Sequence, residues 1–354
     1  MSNPLVSVCI PTWNRAQALR RGLANILALD YTPVEIVISD NASADETEVV
    51  CREAARSDPR IRYVRQERNI GLYANHNFCI QASRGEFLCL FHDHDLRSPS
   101  ILRAYVSFLQ EHPEVGAVCS NWDLIGDDGQ VLGVRDHAVP EVMPGLEYIE
   151  LTLRSGRSCV GVPGAMIRRS ALGDARFRED GPIGFGDFPV WFRIAEEWAI
   201  GHIPERLWSW RQHPSSQSAR TIESMARDYE VNLSRYCDDY LQHRPGETRR
   251  VERWRRQIRR FLFWALAYEV GLHVRRERSP WKDADAPTLF ELLPYRLTPE
   301  AFARALEQMR VYRTGGLQYL AFRTIEGLLR TNFTTPLVWA TYNPTALRRW
   351  LGLS

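Results

Sequence analysis

Residues 4–123 alternate between two rhythms of apolar and polar positions. Short runs rich in β-branched residues, "LVSVCIP", "VEIVISD", "IRYVRQ", "GEFLCLF" and "EVGAVCSNW", read as strands. Between them lie stretches whose apolar residues recur every three or four positions, as Leu19, Leu23, Ile26 and Leu27 do in "RAQALRRGLANILAL". That spacing puts them on one helical face. "SADETEVVCREAARS" is expected to open with a capping box, Ser43 standing three residues before Glu46. "LYANHNFCIQAS" and "SPSILRAYVSFLQEH" follow as helices, the latter with Pro99 near its first turn. Strand–helix alternation predicts an α/β domain with a mostly parallel sheet flanked by helices.

Beyond residue 123 the rhythm loosens. "DLIGDDGQVLGV" reads as a hairpin around Asp128–Gly129. "CVGVPGAMIRRSAL" reads as a strand running into a turn or short helix, "FGDFPVWFRIAEEW" as a helix, and "ERLWSWRQHPSSQS" as a strand leaving a loop. From about Ala219 the texture is helical, which places a boundary near residue 220.

Composition narrows the functional classes. The 354 residues suffice for one large domain or two ordinary ones. A net charge of +2 gives no general attraction for nucleic acid, so any electrostatic role must come from local clusters. The seven Cys include no CxxC pair, and several sit in apolar runs, which points to free thiols in a reducing cytosol. The start "MSNPLVSVCIP" lacks the basic and apolar regions of a signal peptide. No apolar run approaches the roughly 18 residues of a membrane span. No GxGxxG follows the first strand, which argues against a nicotinamide or flavin enzyme.

In open α/β sheets ligands bind outside the carboxyl ends of the strands. Thr12 and Asn14, Asp40 and Asn41, Asn69, and Asp93 with Asp95 follow four successive strands and so converge on one edge. In "FLCLFHDHDLRSPS" an apolar strand ends in four adjacent titratable groups, His92 to Asp95. Such groups repel and desolvate one another, and a bound metal ion is the simplest reason to keep them together.

These pieces, in this order, resemble a family 2 glycosyltransferase of the GT-A fold. "VSVCIPTWNRAQALRRGL" is similar to its first strand and nucleotide loop, and "VEIVISDNASADET" to the strand ending in a base-contacting Asp. "NIGLYANHN" resembles the segment after the third strand, and "FLCLFHDHDLRSP" stands at the metal-binding DxD motif. "GFGDFPVWFRIAEEWAIGHIPERLWSWRQHPSSQS" resembles the region of the catalytic base and a final Arg-x-His. The resemblance covers residues 4–218. It implies a GT-A catalytic domain over 1–218, with a nucleotide-binding half (1–122) and an acceptor-binding half (123–218). A helical region of 219–354 then follows.

The resemblance also assigns residues. Asp40 is expected on the base, with Pro11, Thr12, Asn14, Arg15, Asn69, Asn77 and Asp93 around the nucleotide. Asp93, His94, Asp95 and His213 are expected at a divalent metal, Mn²⁺ or Mg²⁺, with Arg211 beside them. The motif departs from the family in one respect. Counted back from Pro99, the common register puts His92 and His94 at the two motif Asp positions, and a slip of one residue restores Asp93 and Asp95. In the first register His94 itself ligates, which favours Mn²⁺ over Mg²⁺.

Inverting transfer needs a carboxylate to take the acceptor's proton, and Asp187 stands at the family's base position, with Asp180 and Glu179 in reserve. Gly186 replaces the Glu often found before it. Gly164 and Ala165, with Trp191 as a stacking surface, are expected on the acceptor side. The implied activity is metal-assisted transfer of a sugar from a nucleoside diphosphate, UDP first, to a hydroxyl of a glycan or lipid-linked saccharide. The alternative is a catalytically degenerate binding or assembly subunit.

From Arg244 to Arg278 eleven Arg stand against four Glu, while Val251, Trp254, Ile258, Phe261, Leu262 and Ala265 share one helical face. Two readings stay open. One is peripheral membrane contact through 249–271 at the inner face of the cytoplasmic membrane. The other is a helix packed on its apolar side with Arg in solvent. Nucleic acid is not expected, because the aromatics lie on the apolar face rather than on a sheet platform.

Overall fold

The computed structural model describes residues 3–211 and 222–278. The chain divides into two units, residues 1–152 with 157–216, and residues 153–156 with 217–354. The first unit opens with β1 (Val6–Thr12), α1 (Ala16–Leu27), β2 (Val34–Asp40), α2 (Thr47–Ser57) and β3 (Ile61–Arg65). It continues through α3 (Leu72–Ala82), β4 (Phe87–Leu90), β5 (Leu96–Arg97), α4 (Ile101–Glu111) and β6 (Val115–Ile125). Then come β7 (Val131–Arg135), β8 (Val142–Met143), α5 (Gly145–Ser155), β9 (Ala165–Arg168), α6 (Arg169–Leu172), α7 (Phe188–Ala195) and β10 (Ala199–Arg211).

One mixed sheet runs β3-β2-β1-β4-β9-β6-β10-β5, with β7 on β6 and β8 on β10. Its longest ladders are parallel, β1 with β2 and β6 with β10. The expected fifth strand, β6, is not beside β4. Antiparallel β9 separates the two, pairing Leu88 with Ile167 on one side and Val118 with Met166 on the other. Parallel register aligns the strand ends, Thr12 opposite Asp40 and Asp40 opposite Arg65. Two-residue β5 pairs Ser209 with Leu96, which pins the His92–Asp95 segment beside the end of β10.

Alternation in β1 sends Val6, Val8 and Ile10 into a core with Leu19, Leu23 and Ile26 of α1, Val50 of α2, and Val106 and Leu109 of α4. On the opposite face the Cys9 thiol lies 3.5 Å from the Cys79 carbonyl of α3. All seven cysteines are buried free thiols. The Ser43–Glu46 capping box does not form. Ser43 Oγ accepts the Asn14 N–H instead, and Asp45 serves two helix starts, accepting Thr47 N–H through Oδ1 and Ala16 N–H through Oδ2.

The second unit carries α8 (Ile222–His243) and α9 (Thr248–Arg278). Val251, Trp254, Ile258, Phe261, Leu262 and Ala265 are all buried, and the Trp254 ring stacks 6.0 Å from Tyr236 and meets Tyr240 edge-on at 4.8 Å. This corrects the expectation of an apolar face free for lipid, since packing within the chain already covers that face up to residue 266. The side chains of 267–271 lie outside the description. Arg249, Arg253, Arg256, Arg259 and Arg260 remain exposed. No described helix is long and apolar enough to cross a membrane.

Candidate active site

Two strand-end loops carry left-handed backbone, the β1–α1 loop at Asn14 with φ 51° and the β2–α2 loop at Ala42 with φ 58°. Asn tolerates this conformation because its amide bonds locally, and Asn14 Oδ1 accepts the Ala44 N–H at 2.7 Å. Asp40 is fully buried, and its own chain uses both carboxylate oxygens. Ser43 N–H donates to Oδ1 at 2.9 Å, while Tyr63 Oη and Arg65 Nη1 donate to Oδ2 at 2.9 and 2.8 Å. The structure therefore places Asp40 behind Arg65, held on both oxygens by Ser43, Tyr63 and Arg65. Asn69 accepts from Asn41 Nδ2 and from Gly71 N–H, holding the turn into α3. Pro11 lies in β1 opposite Ser39.

The His92–Asp95 segment is the electrostatic centre. Thr12 Oγ1 donates to Asp93 Oδ2 at 2.6 Å, and His94 Nδ1 lies 2.9 Å from Asp93 Oδ1. Arg15 Nη1 reaches the same imidazole nitrogen at 3.3 Å. Asp95 is fully buried. Its Oδ1 accepts the Arg211 N–H at 2.9 Å, and its Oδ2 has no hydrogen-bond partner. Burial pushes the Asp95 carboxyl above the ordinary range, against the pull of His94 and Arg97. One ligand atom each of His92, His94 and Asp95 lie within 4.8 Å of one another. This constellation, with an orphaned carboxylate oxygen at its centre, fits a divalent cation. Asp93 is not in it. Of the four expected ligands, His94 and Asp95 come together, His92 joins them, and His213 lies outside the described residues.

Two arginines hold the segment in place. Arg97 is buried. Its Nη1 donates to the carbonyls of His92 and Asp95, and its guanidinium lies 4.1 Å from the Phe91 ring centroid. Burial brings its pKa down to about 10. Arg211, the last described residue of β10, donates from Nε to the His94 carbonyl and from Nη1 to the carbonyls of Gly126 and Asp127.

Asp187 stands immediately before α7, and its Oδ2 accepts the Trp191 indole N–H at 3.0 Å. Burial raises its pKa, and the Trp191 bond partly offsets the rise. Phe185 just before it has φ 56°, strained backbone of a kind that clusters at working sites. Gly186 lies against Tyr73. A Cβ there would meet the Tyr73 hydroxyl at 2.5 Å, so the space a Glu would need is taken by a ring. That ring continues a path, Tyr73 stacked on Phe177 at 5.3 Å, Phe177 edge-on to His76 at 5.4 Å, and His76 edge-on to His92 at 6.3 Å. Aromatic packing thus links the Asp187 loop to the candidate cation site.

The acceptor-side expectations for Trp191 and Gly164 are corrected. Trp191 is only 1% exposed, so its face cannot stack on a sugar. Gly164 is also buried, and a Cβ there would lie 2.1 Å from the Trp208 indole. Close packing of a tryptophan, not approach of a ligand, requires that glycine. Asn77 holds the 177–179 segment through Phe177 N–H, the Phe177 carbonyl and Glu179 Oε1, and so does not face the nucleotide loop. Asp180 and Glu179 line an open groove of about 1120 Å³ with Arg68, Asn69, Asn77 and Arg176.

Sequence reasoning missed His76, Tyr73 and Arg97. Each acts by filling space or bonding backbone, and only the aromatic spacing within "LYANH" hinted at two of them.

Comparison with known proteins agrees with this geometry. The Glycosyl transferase family 2 profile matches residues 7–175. A GalNAc(5)-diNAcBac-PP-undecaprenol beta-1,3-glucosyltransferase of Campylobacter jejuni is 33% identical over 93 residues, 26% of this chain and 30% of that protein. The crystal structure of S. aureus TarS with UDP-GlcNAc aligns with TM-score 0.58 at 17% identity, covering 92% of this chain and 91% of that one. The mannosyltransferase PcManGT from Pyrobaculum calidifontis, in complex with GDP-Man and Mn²⁺, aligns with TM-score 0.51 at 17% identity, covering 100% and 88%. At these identities the structural likeness concerns the fold alone. With the strand-end site, the profile match and the shared architecture on the page, the chain belongs to glycosyltransferase family 2 and is a glycosyltransferase of the GT-A fold.

Proposed function

We propose that the protein transfers a sugar, with inversion, from a nucleoside diphosphate to a hydroxyl of a glycan or lipid-linked saccharide. The observation that carries this is Asp187, a carboxylate oriented by Trp191 and connected through the Tyr73–His92 ring path to the strand-end site. Asp187 accepts the acceptor's proton as its oxygen attacks, a role suited to a carboxylate whose pKa burial has raised. Thr12, Asn14 and Arg15 bound the nucleotide side, with Asp40 acting through Arg65 and Ser43. His92, His94 and Asp95 hold the divalent cation, with Asp93 fixing His94. When bound, that cation neutralises charge on the departing diphosphate. The relative acting on an undecaprenol-linked saccharide and the neighbour binding UDP-GlcNAc support the acceptor and donor classes.

The exposed Arg face of α9 supports electrostatic contact with anionic lipid, without insertion, on the cytoplasmic side. Cosedimentation with phosphatidylglycerol vesicles, lost at high salt, checks this. For the reaction, the test is Asp187→Asn. It should retain donor binding and lose transfer by about 10²–10⁴-fold. Undiminished turnover removes Asp187 from the mechanism.

A further inference from the structure

Counted back from Pro99, the positions where the family register expects carboxylates hold imidazoles in this chain. We infer that His92, His94 and Asp95 form a two-imidazole, one-carboxylate site. Such a site selects a borderline cation such as Mn²⁺ or Co²⁺ over Mg²⁺ and loads it without nucleotide. This rests on the reading of residues 92–95 as the transferase's cation site, but it concerns which ion enters and when.

The geometry supplies the ligands. His92 Nδ1 lies 3.6 Å from Asp95 Oδ2, and His94 Nε2 lies 3.7 Å from Asp95 Oδ1. The two rings are nearly parallel, 20° apart, with centroids at 5.7 Å. The three ligand atoms span at most 4.8 Å. Two nitrogen or oxygen ligands of one ion stand at most about 4.4 Å apart, so a small closing movement completes the site. Asp95 Oδ2 is buried and without a donor, while Arg97 Nη2 stays 3.9 Å away. An anionic oxygen left bare among buried groups is costly unless a cation meets it.

Asp93 explains how His94 is prepared. Its Oδ1 lies 2.9 Å from His94 Nδ1. Two lone pairs at that distance would repel, so Nδ1 carries the proton and donates it to Asp93, and the Arg15 guanidinium, 3.3 Å from the same nitrogen, lies beside that N–H without bonding it. Nε2 then carries the lone pair that can ligate, 3.7 Å from Asp95 Oδ1. Thr12 Oγ1, donating to Asp93 Oδ2 at 2.6 Å, fixes the carboxylate in turn. A carboxylate behind a ligating histidine is a recurrent metal-site arrangement. Asp93 therefore acts through His94, as a positioning residue.

Donor chemistry sets the selectivity. Mg²⁺ takes oxygen ligands, dehydrates reluctantly, and is usually held by one or two carboxylates together with substrate phosphates. Imidazole nitrogen favours later, softer ions. With two imidazoles and a single carboxylate, these residues offer Mg²⁺ little until a diphosphate arrives, whereas Mn²⁺ and Co²⁺ gain two nitrogen bonds at once.

The experiment titrates the full chain, without nucleotide, with MnCl₂, CoCl₂ and MgCl₂ by calorimetry. Pulsed electron paramagnetic resonance then examines the Mn²⁺-loaded wild type. The expected result is one equivalent of Mn²⁺ bound at least tenfold more tightly than Mg²⁺, with nitrogen couplings from two imidazoles. His92→Ala and Asp95→Asn should each weaken Mn²⁺ at least tenfold. Asp93→Asn should weaken it 10–100-fold. Equal affinity for Mg²⁺, or a wild-type spectrum without histidine nitrogen, overturns the inference, and the spectrum needs no variant that could misfold. A separate arm adds UDP or GDP with each ion. If nucleotide binds but Mg²⁺ serves as well as Mn²⁺, this inference falls and the transferase reading stands. If Mn²⁺ binds through nitrogen but no nucleotide follows, the reverse holds.

Discussion

The indole N–H of Trp191 donates to Asp187 Oδ2 at 3.0 Å, reaching back from the first turn of α7 to the residue that precedes the helix. Sequence reading offered Trp191 as a sugar platform, yet the side chain is buried and bonds the Asp187 carboxylate instead. Burial raises the Asp187 pKa and the Trp191 bond opposes the rise. In the proposed mechanism the ionised form is the base, so activity should fall as pH drops through that raised pKa. Trp191→Phe removes the opposing bond, moving the acid limb of kcat/KM to higher pH. A pH profile checks this, with donor affinity unchanged. An unmoved limb removes Trp191 from the mechanism.

Gly164→Ala should destabilise the protein by about 1–3 kcal/mol, because the new Cβ would lie 2.1 Å from the Trp208 indole. Thermal melting measures it. A neutral result would mean that Trp208 moves freely.

Arg97 and Asp95 are both fully buried, 3.9 Å apart. Arg97→Met leaves the Asp95 charge without its buried neighbour, and losing one partner of a buried pair costs about 3–5 kcal/mol. Denaturant unfolding measures the loss, and a cost below about 1 kcal/mol would show that Asp95 folds neutral.

Asp45 accepts the first N–H groups of both α1 and α2. Asp45→Ala should therefore cost about 1–2 kcal/mol. Burial raises the Asp45 pKa, but bonds from Thr47 and Ala16 outweigh it, and the folded pKa lies below the unfolded value. Its stabilisation is present above the unfolded pKa and disappears as pH falls through the folded one. The difference between wild type and Asp45→Ala should accordingly shrink in acid, as equilibrium unfolding at several pH values can record.

Much of the fold was legible because β-branched runs and helical spacing are local signals, and "VSVCIP" and "RAQALRRGL" carry theirs within a few residues. What escaped was non-local. β5 and β8 are two residues long, and partners far along the chain, β10 in both cases, define them. The insertion of β9 between β4 and β6 depends on pairings more than 40 residues apart in sequence. α5 was missed although Tyr148, Ile149 and Leu153 are buried on it, because Pro144 and Gly145 interrupt the apolar pattern where the helix begins.

The site divides similarly. That polar strand ends converge follows from topology alone. Which carboxylate faces what does not, since Asp40 and Asp93 were both occupied by neighbours, Arg65 and Thr12, that sequence cannot bring together.

The most direct test is calorimetric titration of the full chain with UDP, GDP, CDP and dTDP, each with and without Mn²⁺, repeated on Asp187→Asn. The account predicts that one nucleoside diphosphate binds in the presence of metal, equally to both proteins, while only the wild type transfers sugar from the matching donor. A folded protein that binds none of the four, with or without metal, would contradict it.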